Sequence, residues 1–68
     1  MTQIILYDNK SVHIDGYKNI ITFNSDHLCV SCKNRILEIY GNNLQIDSFT
    51  EVCMVVSGKI DNICWADL

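Results

Sequence analysis

The chain has 68 residues, no proline, three glycines, 49% apolar residues and a net charge of −3, a composition that excludes a disordered tail and fits a single domain spanning residues 1–68. A domain this short buries only about 60% of the surface its unfolded chain exposes, so a disulfide, a metal or a partner is the usual supplement. The five basic residues Lys10, Lys18, Lys33, Arg35 and Lys59 are scattered, mostly near predicted turns, which argues against nucleic acid as a partner. No apolar run approaches the roughly 18 residues of a membrane span, and the first residues lack the basic start and uninterrupted apolar core of a secretory signal, so a soluble cytoplasmic protein with no direct membrane insertion is expected.

In chain order, Gln3 to Asp8 is mostly apolar and β-prone, and Asp8-Asn9-Lys10 turns behind it. Ser11 to Asp15 alternates, placing Val12 and Ile14 together. Ile20-Ile21-Thr22-Phe23 is β-branched and aromatic, and Asn24-Ser25-Asp26 closes it with turn chemistry. His27 to Cys32 follows, with Leu28, Val30 and Cys32 on one face. Leu37 to Ile46 then reads as a β-hairpin, and the other strands are arranged around it. Leu37 and Ile39 share one face and Glu38 and Tyr40 the other. Gly41, Asn42 and Asn43 supply residue types that tolerate the positive φ of a tight turn. Val52, Met54 and Val56 alternate onto one face, Ser57-Gly58-Lys59 turns, and Ile60 to Trp65 closes the chain. Ile60, Ile63 and Cys64 also fit helical spacing over 60–66, and the strand reading outweighs it.

Val12-x-Ile14-x-Gly16, Leu37-x-Ile39-x-Gly41 and Met54-x-Val56-x-Gly58 share a pattern. Each reads as a strand ending at a glycine that lets the chain turn back. The expected fold is therefore all-β, a small antiparallel meander of about six to eight short strands curled into a roll or barrel. Apolar residues on both faces at Ile4/Ile5 and Ile20/Ile21 leave edges and surface uncovered, which predicts a homodimer or higher homo-oligomer.

Cys29-Val30-Ser31-Cys32 has the spacing of a metal or redox pair. Within a strand, however, positions i and i+3 face opposite sides, and Cys53 and Cys64 lie too far apart in sequence to form a second pair. No metal, cofactor or catalytic residue is therefore expected, and four reduced thiols are the simplest reading. A cysteine-based metal-binding or redox module is the competing function. His13 and His27 lack a nucleophile elbow, a phosphate loop or paired carboxylates around them. Tyr40, Tyr17 and Trp65 are the candidate interface residues, because an aromatic that alternates away from the core meets water or a partner. Trp65 also suits a core position.

The series Leu37-x-Ile39-x-Gly41-x-x-Leu44-x-Ile46 followed by Val56-x-Gly58-x-Ile60-x-x-Ile63-x-Trp65, with Ile14-Asp15-Gly16-Tyr17-Lys18-Asn19-Ile20-Ile21 before it, resembles the YabP/YqfC family of sporulation proteins, on its YqfC side. The likeness runs over residues 11–65. Asn34-Arg35 departs from it where the family usually has a glycine. The resemblance implies a non-enzymatic assembly factor in spore or spore-coat morphogenesis. It places such a factor in the sporulating cell at the forespore surface or coat, beside a membrane-protein partner.

Overall fold

The computed structural model describes residues 2–67, all of whose regular structure is β. Six strands, β1 (Gln3–Tyr7), β2 (Ser11–Asp15), β3 (Asn19–Phe23), β4 (His27–Ser31), β5 (Arg35–Phe49) and β6 (Cys53–Asp67), form one antiparallel sheet in the order β1-β2-β6-β5-β4-β3. It is not closed into a barrel. Strands β3 to β6 follow one another as a meander, and β2 then pairs with β6 rather than with β3.

The turns are made by the polar residues that punctuate the sequence. Asp8 and Asn9 both take left-handed φ, 53° and 55°, and Lys10 N–H donates to the Tyr7 carbonyl at 2.9 Å; short polar side chains lower the cost of that conformation. Asn24 accepts from Asp26 N–H through its side chain, and the Thr50 hydroxyl accepts from Val52 and Cys53 N–H. That last turn is the hairpin that organises the molecule, and it joins β5 to β6.

The predicted hairpin at Gly41-Asn42-Asn43 is therefore corrected. Strand β5 runs straight through it, and Leu37 and Ile39 pair with Trp65 and Ile63 of β6, not with Leu44 and Ile46. The predicted turn at Gly58 is corrected in the same way, because β6 passes through it, and no helix forms at 60–66. At both places the register slips. Asn43 and Leu44 of β5 lie against Gly58 of β6, and Asp61 and Asp47 are each left without a cross-strand partner. Extra residues of this kind bend a strand without ending it.

The consequence is a sheet folded over on itself. Strands β2 and β3 stand four positions apart in the sheet, about 19 Å if it were flat. Residues 16–18 alone join them, and they can reach only about 14 Å. The bends at the middle of β5 and β6 close that gap. The two halves that result have like construction: the β1–β2 hairpin lies on the first half of β6 and the β3–β4 hairpin on the first half of β5. Each hairpin turn accepts backbone bonds from the bend beside it. Lys10 and Asn9 carbonyls accept from Gly58 and Ile60, as Asp26 and Ser25 carbonyls accept from Gly41 and Leu44. The repeated sequence pattern at Leu37–Gly41 and Met54–Gly58 marks these matching bends.

The core lies between the halves. Four strands each give it an alternate pair, Val12/Ile14, Leu28/Val30, Leu37/Ile39 and Met54/Val56, all almost completely buried. Val52, expected on the same face, is instead in the exposed β5–β6 turn.

Candidate functional site

His27, Cys29, Glu38, Tyr40 and Cys64 lie side by side on the outer face of β4, β5 and β6. Strand pairing sets His27 beside Tyr40 and Cys29 beside Glu38, and sets Glu38 beside Cys64 on the other side. The His27 and Tyr40 rings stack at 4.5 Å with 3° between their planes. The Tyr40 hydroxyl donates to Glu38 Oε1 at 3.1 Å. His27 Nε2 lies 3.4 Å from the same oxygen, near enough for an ion pair if the ring is protonated, yet it is not aligned as a hydrogen bond.

The surroundings of Cys29 and Tyr40 favour their protonated forms. Burial, and then the Glu38 charge, push the Cys29 thiol above its ordinary value. Donation to Glu38 pushes the Tyr40 hydroxyl up as well. A reactive cysteine needs the opposite shift, toward thiolate at neutral pH. Cys32 is raised by burial in spite of its bond to Thr2 and the charge of Arg35, and Cys53 is raised chiefly because its thiol donates to Asp15 at 3.2 Å. Cys29 and Cys32 also part company: Cys32 joins the core cluster, whereas Cys29 faces outward against Glu38. Among the described residues no three His, Cys, Asp or Glu side chains converge on a point where they could hold a metal ion.

Of the interface candidates, Tyr17 is corrected. It is 7% exposed, lies in the core cluster, and donates its hydroxyl to the Thr50 carbonyl at 2.5 Å. It follows Gly16, whose φ of 91° takes the chain out of β2 and turns the ring inward between the halves. Tyr40 is 36% exposed on the outer patch. Trp65 shares the inner face with Leu37 but lies at the open end of the core, 40% exposed, with the Arg35 guanidinium 4.8 Å from its ring. Thr2, Cys32, Lys33 and Asn34 complete a shallow recess of about 210 Å³ around that pair. The sequence places Glu38 and Tyr40 on one face. It does not show that β4 lies beside them, so the contribution of His27 and Cys29 is seen only in the folded chain.

Fold and site together define a small all-β domain, a bent six-stranded sheet carrying a polar-aromatic outer patch. The chain matches the model of the YabP family over residues 1–67 and belongs to that family. Membership is consistent with a sporulation-related role. No curated protein and no solved structure matches the chain.

Proposed function

We propose that this chain is a non-enzymatic sporulation protein, a small assembly and interaction factor in spore or spore-coat morphogenesis. It works in the cytoplasm of the sporulating cell at the forespore surface, next to a membrane-protein partner. The observation that carries the reading is the family match across residues 1–67. The outer patch supports it, because the Cys29 thiol and the Tyr40 phenol, both held toward their protonated forms, suit contact better than catalysis. No helix among the described residues is long and apolar enough to cross a membrane, so the membrane is reached through the partner in this proposal. Deleting the gene from a spore-forming host should lower the yield of heat-resistant spores and leave vegetative growth unchanged. A normal yield of heat-resistant spores from the deletion strain would discard the proposal.

A further inference from the structure

Among the described residues, four stretches of the sheet have no strand on one side: β1, β3, the second half of β5 and the second half of β6. An open edge invites another strand unless a bulge, a charge or a proline blocks it. Strand β3 is bulged at Ile21, which has no cross-strand partner. The second half of β5 is bulged at Asp47, whose carboxylate accepts from the Ser57 hydroxyl at 2.9 Å. The second half of β6 begins and ends at carboxylates, Asp61 and Asp67. Strand β1 has none of these devices. Its five residues are uncharged and pair with β2 without a register shift, from Gln3 opposite Asp15 to Tyr7 opposite Ser11.

The exposed side chains of β1 point to the same edge. Ile5, Leu6 and Tyr7 are 47%, 44% and 47% exposed, and Ile5 and Tyr7 lie on the outer face while Leu6 lies on the core face beside Val12. We infer that β1 is a docking edge for a second copy of this chain, pairing antiparallel about a two-fold axis at Ile5. In that register Ile5 meets Ile5, Ile4 meets Leu6 and Gln3 meets Tyr7. The strand is thus complementary to itself, apolar against apolar at Ile5 on the outer face and at Ile4 and Leu6 on the core face, with Gln3 against Tyr7 at the two ends, and the contact is isologous and closes at two copies. It also sets no like charges opposite one another, although each copy carries −3. The two bent sheets become one sheet of twelve strands. One short strand and three half-exposed side chains per copy make an interface below about 1,200 Å², the class of reversible contacts, so the dimer is in rapid exchange with monomer at micromolar concentrations. This inference stands on the edge geometry and not on the sporulation reading.

Sedimentation equilibrium of the full chain over a range of concentrations tests it. Wild-type protein dimerises reversibly. Ile5→Lys, which sets two ammonium groups face to face at the axis, weakens the dimer by at least about tenfold with an unchanged melting temperature. Ile21→Lys on β3 leaves the dimer as it was. As a second readout, Ile5→Cys in a Cys53→Ser, Cys64→Ser background oxidises to a covalent dimer, because directly opposed residues lie within disulfide reach, and Ile21→Cys in that background does not. A wild-type monomer at high micromolar concentration would overturn the inference. So would an Ile5→Lys protein that dimerises as wild type does, or a dimer lost on Ile21→Lys instead.

Discussion

Gly41 is a glycine for want of space, not for its backbone angle. Its φ is not in the left-handed region, but a Cβ there would fall inside the Lys59 backbone carbonyl and 3.1 Å from Leu44 Cδ2. Gly58 needs both freedoms, with φ at 133° and the Asn43 carbonyl oxygen 2.6 Å from a Cβ. Both clashes are with main chain at the bends, which cannot swing aside as a flexible side chain can. Gly41→Ala should therefore cost several times the roughly 1 kcal/mol of an average substitution, and urea denaturation should show a greatly reduced midpoint or no folded protein. Asn43 holds φ at 54°, so Asn43→Val should destabilise by about 1–2 kcal/mol and Asn43→Gly should be tolerated. The thiols give a pH signature. Burial raises Cys29 and Cys32 above the ordinary 9.0, so the folded state holds these protons more tightly than the unfolded state does. Their contribution is complete below pH 9 and is lost as pH rises through the raised values. Urea midpoints should therefore fall above pH 9, and less so in a Cys29→Ala, Cys32→Ala protein. In native protein at neutral pH a thiol reagent should modify Cys53 and Cys64 and reach Cys29 and Cys32 only on unfolding.

Strands β5 and β6 read in the sequence as four short strands with two glycine turns. A glycine beside asparagines is the common mark of a tight turn, and the same residue types also serve a bend within a strand, where Asn43 and Gly58 take positive φ and Gly41 gives room to a neighbouring main chain. Local sequence does not separate the two. What decides is whether a hairpin turn from elsewhere offers carbonyls to the bent segment, as Asp26 and Ser25 do for Gly41 and Leu44 and Lys10 and Asn9 do for Gly58 and Ile60. Asn42 Nδ2 further donates to Asp61 Oδ2 at 3.2 Å, tying one bend to the other. Tyr17 does the same between connections, its hydroxyl holding the β2–β3 link to the β5–β6 turn. Tyr17→Phe keeps the ring in the core and removes only that bond, so it should cost about 0.5–1.5 kcal/mol in chemical denaturation. A change near zero would show that the bond contributes nothing net.

At the scale of the molecule, the two halves cannot part. Each of β5 and β6 gives its first portion to one half and its second portion to the other, and the core pairs interleave between them. Unfolding should accordingly be one cooperative transition, with calorimetric and van't Hoff enthalpies equal and fluorescence of Trp65 tracking circular dichroism. Two separate transitions would contradict the shared-strand architecture.

The sequence by itself determined the class, the four alternating pairs at the centre of the core, and the family. Period-two alternation named Val12/Ile14, Leu28/Val30, Leu37/Ile39 and Met54/Val56, because a side chain's face in a strand follows from position parity alone and survives any choice of partner strand. Parity likewise separated Cys29 from Cys32. Only the tertiary structure decided which strands are neighbours, that Gly41 and Gly58 bend strands instead of ending them, that Tyr17 turns inward, and that His27 stacks on Tyr40. Each of those depends on groups far apart in the chain meeting across the folded sheet, and residue-to-residue pattern carries no record of a neighbour supplied by another strand.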